Sequence, residues 1–253
     1  MKLRTSILRR MVGIAVAGVA VAGLVVLAEG PAAAATDDTV VFVSSYPGKA
    51  VRYLAGDHAN DVTVTINTGD EGTIVFVDPN AVNLSTSAPC TLTNSTTVTC
   101  PKYSGPADTD KVFSVSVIGY GGADTLTSEG FGMVKGSTFR PIAVTLSGFA
   151  DDDIITANGG YSSLVGGDGE DTLTSGPGTS TDPQFRDTIY GNNGDDIIDT
   201  WSNSTDVDGI YCDNQADNTY LNVLDRDSGD VEYSYFVWPT SIPSCLDDDV
   251  TVH

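Results

Sequence analysis

The sequence predicts an all-β chain wound as a parallel coil, and three observations predict it. A nine-residue period of Gly, Asp and an aliphatic residue runs through the second half of the chain. The segment before it alternates apolar with polar residues, and no segment after residue 35 shows a helical period. Nine residues make a loop of six and a strand of three, so two repeats complete one coil. Loops on one side then recur every second repeat, with the aliphatic residues pointing inward.

Residues 1–35 read as a secretory signal peptide. Lys2, Arg4, Arg9 and Arg10 give a basic start, an apolar run follows from Met11 to Ala28, and the small residues from Pro31 to Ala35 supply a cleavage site. A membrane anchor is the alternative for the apolar run. The Arg9-Arg10 pair leaves twin-arginine export and ordinary secretion both open. Cleavage after Ala35 leaves 8 Lys and Arg against 33 Asp and Glu, a net charge of −25 where the whole chain has −22. Such a charge repels nucleic acid and anionic membrane and opposes compaction unless something neutralises it. Divalent cations are the obvious candidates. High charge also favours disorder, but the regular apolar residues and ten tyrosines argue for a fold.

Residues 36–118 are rich in Thr and Val and form a β-rich segment continuous with the coil. Val62, Val64 and Ile66 alternate with polar residues, the turn Thr68-Gly69-Asp70-Glu71-Gly72 follows, and Ile74, Phe76 and Val77 come after it. Cys90, Cys100, Cys212 and Cys245 are an even number in an exported chain and read as two disulfides. Three pairings are open, of which sequence proximity favours Cys90 with Cys100 and Cys212 with Cys245. Without CxxC spacing, and with only His58 and His253 as histidines, a zinc site is not expected.

Residues 119–208 carry the repeat. The aligned turns are GYGGADTLT from Gly119, GFADDDIIT from Gly148, GGDGEDTLT from Gly166 and GNNGDDIID from Gly191. The sixth residue is Asp in each (Asp124, Asp153, Asp171, Asp196), and the eighth is aliphatic (Leu126, Ile155, Leu173, Ile198). Phase persists where the motif fades. Residues 157–165 keep Leu164 at position eight, Phe139 to Ser147 keep Leu146, and Asp182 to Tyr190 supply Asp187 and Ile189 at positions six and eight. Residues 175–181 read as an insertion bulging from one turn.

This pattern suits a hard cation. Calcium takes six to eight oxygens of mixed carbonyl and carboxylate origin. Carbonyls from positions one and three with the position-six carboxylate make half a shell, and the loop stacked above supplies the rest. Glycine is expected in these turns because the backbone must take positive angles and because a side chain would intrude on the ion. The candidate calcium-site residues are Gly119, Gly121, Asp124, Gly148, Asp151, Asp153, Gly166, Asp168, Asp171, Asp187, Gly191, Asn193 and Asp196. The contiguous loops at Gly148 and Gly166 form the most secure pair, while the loop Asn158 to Ser162, with Ser in place of Asp, is expected to bind weakly or not at all. Asp-Gly turns without any metal are common in β-proteins, so the weight rests on four in-phase copies.

On these repeats the chain resembles the haemolysin-type (RTX-like) calcium-binding repeat proteins. It is similar above all to small secreted members common in actinobacteria, through APCTLTNSTTVTCP from Ala88 to Pro101 and the tail from Ile210 to Glu232. The resemblance implies a right-handed parallel β-roll or β-helix solenoid, with calcium in its turns and the position-six Asp as side-chain ligand. Three residues depart from the pattern: Phe149, Asp151 and Asn192 stand where glycine is usual. Residues 209–253, which lack repeat glycines, are expected to form a disulfide-containing C-terminal cap, as coils need polar ends.

The sequence holds neither HExxH nor GxSxG, and a Ser-His-Asp arrangement would have to recruit His58, read as an exposed loop residue. No catalytic residue is assigned. The expected function is that of a secreted, non-enzymatic calcium-binding module of a surface or matrix, with a cell-wall or matrix glycan or protein as partner. The alternative is a calcium-dependent polysaccharide lyase or hydrolase on a parallel β-helix.

Overall fold

The computed structural model describes residues 37–44, 48–69, 72–103, 110–130, 132–134, 136–137, 140–158, 161–176, 187–199, 209–212, 222–223 and 231–234. The expected signal peptide and the expected bond from Cys212 to Cys245 lie outside them. Among the described residues the chain is β-structure without α-helix, and no helix is long and apolar enough to cross a membrane.

The N-terminal strands are β1 (Thr39–Ser44), β2 (Lys49–Leu54), β3 (Asp61–Ile66), β4 (Thr73–Val77), β5 (Ser85–Thr86), β6 (Thr91–Asn94) and β7 (Thr97–Pro101). The strands that follow are β8 (Val112–Ile118), β9 (Thr125–Glu129), β10 (Ala143–Ala150), β11 (Ile154–Asn158), β12 (Tyr161–Asp168), β13 (Thr172–Ser175), β14 (Thr188–Asn193) and β15 (Ile197–Asp199). Last come β16 (Gly209–Cys212), β17 (Asn222–Val223) and β18 (Val231–Ser234).

These strands form two sheets of nine. One runs β18-β16-β14-β12-β10-β8-β2-β1-β5, the other β17-β15-β13-β11-β9-β3-β4-β7-β6. From β8 onward successive strands alternate between the sheets, and from β10 onward each pairs in parallel with the strand two places before it. Parallel partners need a connection long enough to cross and return, and the intervening strand of the other sheet provides it. The N-terminal segment joins the same sheets, β2 pairing in parallel with β8 and β3 with β9, while β1, β4, β6 and β7 add antiparallel hairpins.

Position eight of the repeat makes the core. In the second sheet Val62, Leu126, Ile155, Leu173 and Ile198 lie in register and are fully buried. In the first sheet Tyr53, Val117, Leu146, Leu164 and Ile189 make the matching stack, also fully buried. Period-two alternation sends the flanking residues outward. Ile154 and Ile197, at position seven, are therefore exposed in spite of their chemistry.

One disulfide joins Cys90 to Cys100, the pairing favoured by proximity. His58 departs from expectation. Its ring is partly covered, and Nε2 lies 3.6 Å from Oδ2 of the fully buried Asp38. The loop holding it is not a free turn but passes directly beneath the first repeat.

Candidate metal sites

The alternation places the loops at Gly119, Gly148, Gly166 and Gly191 along one edge, between the strands of the first sheet and those of the second. Residues of the third loop pair with those of its neighbours: Phe149 lies opposite Gly167 and Ala150 opposite Asp168, then Gly167 opposite Asn192 and Asp168 opposite Asn193. The extra residues between repeats fall in the connections from the second sheet back to the first, between β9 and β10 and between β13 and β14. The loops therefore stack although their spacings along the chain are 29, 18 and 25 residues.

Stacking aligns the position-six aspartates into a ladder. The Asp124 N–H donates to Asp153 Oδ1 at 2.8 Å, the Asp153 N–H to Asp171 Oδ1 at 2.9 Å, and the Asp171 N–H to Asp196 Oδ1 at 3.1 Å. The Asn60 N–H donates to Asp124 Oδ1 at 2.8 Å and so continues the ladder below the first repeat. One oxygen of each carboxylate is thereby spent on holding the next coil. The other, Oδ2, is buried in all four and has no hydrogen-bond donor. A buried carboxylate oxygen left unmatched is costly. Four in one line, at the position the sequence singled out, form a row of oxygens suited to cations.

Position-one glycines face these oxygens. A Cβ added to Gly119, Gly148, Gly166 or Gly191 would overlap Oδ2 of the aspartate five residues on. At Gly119 it would also run into the carbonyl of Gly148, and at Gly166 into the carbonyl of Gly191. Oδ2 of one loop and the position-one carbonyl of the next therefore converge on a space that only glycine leaves open. Among the described residues no three acidic, His or Cys side chains converge on one point. The donor set is one carboxylate per loop completed by carbonyls, the mixture calcium accepts.

Positive backbone angles occur elsewhere in the turn than at position one. They fall at position two (Tyr120, Phe149, Gly167, Asn192) and position four (Gly122, Asp151, Gly169, Gly194) of all four repeats. Thus the non-glycine residues at these positions, Tyr120 as well as the departures Phe149, Asp151 and Asn192, keep the left-handed conformation, with φ of 71°, 83°, 74° and 72°. Asp151 uses its side chain as well, because Oδ2 accepts the Gly122 N–H of the loop below at 2.9 Å. Position-two rings also pack, Tyr120 and Phe149 lying 5.5 Å apart.

The remaining candidates occupy distinct places. Gly121 is buried at position three and bridges to Asp57. Asp168 and Asn193, also at position three, bond to each other through Asn193 Nδ2 and Asp168 Oδ1 at 2.6 Å. Asp187 is buried at the opposite edge, where its Oδ1 accepts the Ser162 N–H at 2.7 Å. The bond repeats the geometry of the main ladder, but position six of that edge reads Val51, Val115 and Val144 in the earlier coils. The opposite edge is thus apolar at first and turns polar at Ser162 and Asp187.

Burial sets the electrostatics. It pushes the Asp124, Asp153 and Asp171 carboxyls up to about 7 and Asp196 up to about 6. Neighbouring carboxylates add to the rise, Asp124, Asp151 and Asp152 at Asp153, and Asp196, Asp153 and Asp152 at Asp171. The N–H groups of the ladder oppose it without cancelling it.

Sequence reasoning missed the rung below the first repeat. Asp61 pairs with Thr125 and Val62 with Leu126, which puts Asn60 at position six and Ala55 at position one. The signal was the fixed distance from Asn60 to the buried Val62, legible once AGDHANDVT is set under GYGGADTLT.

A family model described as RTX calcium-binding nonapeptide repeat matches residues 147–181 and 184–204 in four copies. Comparison with curated proteins and with solved structures gives no match.

Proposed function

Residues 147–181 and 184–204 of this chain are RTX nonapeptide repeats of the haemolysin type, which bind calcium ions, and from that premise we propose a secreted module whose coil is completed by calcium. The observation that carries the proposal is the row of four buried Oδ2 atoms on Asp124, Asp153, Asp171 and Asp196, each without a donor and each facing a glycine. These carboxylates, with the Gly148 and Gly191 carbonyls, are the groups that would hold the ions. Bound calcium supplies positive charge between stacked carboxylates that otherwise repel at close range.

Alternation of strands between two parallel sheets supports a right-handed parallel β-roll as the architecture. In the proposed organisation residues 1–35 direct export, residues 36–118 begin the coil, residues 119–208 bind calcium and residues 209–253 close it. Extracellular modules bind calcium with dissociation constants of about 0.1 to 1 mM. At about 1 mM free ion a site at the tighter end contributes roughly 1.4 kcal/mol. Three or four such sites together rival the ordinary stability of a domain, so calcium controls folding. The role is non-enzymatic, in binding or structure at a surface or matrix. A cell-wall or matrix glycan or protein is the partner, and retention on isolated cell wall in calcium but not in chelator tests it.

Circular dichroism of the chelated chain during calcium titration tests the central claim. The expected result is a cooperative gain of β signal at millimolar or lower calcium. A chain equally ordered with and without the ion, taking none up, would overturn it.

A further inference from the structure

We propose that the loop Ala55–Asn60 is a metal-free rung of the same coil, which makes strands β2 to β8 a calcium-independent template for the calcium-binding rungs. The inference rests on the calcium reading above and adds where calcium dependence begins.

The rung has the register of a repeat without its chemistry. Leu54 pairs with Ile118, Asp57 bridges to Gly121, and Asp61 pairs with Thr125, so Ala55 lies opposite Gly119 and Asn60 opposite Asp124. At position one, where the other loops need an open glycine, Ala55 carries a fully buried methyl group. At position six a neutral amide replaces the carboxylate. Asn60 Nδ2 donates to the His58 carbonyl at 2.6 Å and to the Gly56 carbonyl at 3.3 Å. Asn60 thus turns a donor toward carbonyls of its own loop and leaves only a neutral oxygen, Oδ1, buried without a partner, where a calcium rung has a charged one. The Asn60 N–H still donates to Asp124 Oδ1, so the rung ends the ladder without interrupting it.

Neighbouring acids are satisfied by the protein itself. Asp38 is fully buried, with Oδ1 accepting the Gly56 N–H and Oδ2 the Val82 N–H. Asp78, also fully buried, accepts the Tyr53 hydroxyl at 2.8 Å through Oδ2, and the Asn80 and Asp61 N–H groups at 2.9 and 3.2 Å through Oδ1. Both oxygens of each therefore have donors, in contrast to the repeat aspartates, which each leave one bare. Apolar packing is dense beside them. Tyr53 and Phe76 stack at 5.9 Å, and Val62, Val64, Ile74 and Val98 are fully buried. Among the described residues, removing calcium leaves no buried carboxylate oxygen without a donor in this part of the coil, whereas it leaves four in a line above it.

Hydrogen exchange of the full chain with its disulfide intact, in calcium and in chelator, tests the partition. In chelator the amides of β2, β3, β4, β7 and β8 are expected to stay protected, while those of β10 to β15 exchange as unfolded chain. Loss of protection in both sets together, in a protein that regains both on adding calcium chloride, overturns the template and leaves the calcium reading standing. Exchange indifferent to calcium throughout overturns the reading beneath and the inference with it. A second measurement bears on the rung alone. The double variant Ala55→Gly/Asn60→Asp is expected to take up one more calcium per chain than wild type in titration calorimetry, and an unchanged count overturns the assignment of Ala55 and Asn60 as the groups that keep the ion out.

Discussion

Asp171 has two oxygens in two different situations, one fixed by the Asp196-to-Asp153 ladder and one buried without a donor. Substitution by Asn keeps an oxygen to accept the Asp153 N–H and removes the charge, so its effect should change sign with calcium. In calcium, Asp171→Asn loses roughly the 1.4 kcal/mol that one site contributes, read as a lower melting temperature. In chelator at neutral pH it should retain more β signal than wild type and need less calcium to fold fully, because a buried charge has gone. Gly148→Ala should be harmful in calcium, by about 1–3 kcal/mol of overpacking, since its methyl overlaps Asp153 Oδ2. The raised carboxyls set the pH dependence. Their ordinary value is 3.8 and the folded, metal-free values are about 6 to 7, so the folded form holds protons that the unfolded chain releases. Their contribution to metal-free stability is fully present below about pH 4 and is lost as pH rises through 6 to 7. The β signal retained by the chelated protein across pH 4 to 8 should therefore be greatest at the acid end and fall as pH rises. Calcium needs the deprotonated form, and calorimetry at pH 6 in two buffers of different ionisation enthalpy should show protons released on binding.

Each nonapeptide works as an element because its six-residue loop and three-residue strand divide the labour between metal edge and core. The strand half depends on position eight. Leu173 sits between Ile155 and Ile198 in a fully buried stack, and Leu173→Ala should cost about 2–5 kcal/mol even with calcium saturating. Its neighbour Thr172 is half-buried on the outer face, so Thr172→Ala should stay within about 0.5 kcal/mol. Urea unfolding of both variants in calcium separates the two faces of one strand. Position six of the first sheet shows the same logic with other residues. Val51, Val115 and Val144 make an apolar edge needing no ion, and the change to Ser162 and Asp187 marks where that edge becomes polar. These strands and their phase were legible in sequence because period nine repeats locally. The left-handed angles at Phe149, Asp151 and Asn192 were not, because glycine is their usual signal.

At the scale of the whole molecule, a chain with a net charge of −22 carries buried carboxylates in a row, so compaction and ion uptake are expected to be coupled. Small-angle scattering should show an increase in radius of gyration on chelation and recovery with calcium. Magnesium at equal concentration should restore little, since it demands near-ideal octahedral geometry and gives up its water reluctantly. By itself the sequence determined the all-β class, the repeat phase, the position-six acids and the position-eight core, because each is set by spacing within nine residues. The tertiary structure alone decided which loops stack, why position one must be glycine, and that Ala55–Asn60 is a rung at all. These depend on contacts between residues 18 to 64 apart in the chain, where spacing along the sequence carries no information about what lies opposite.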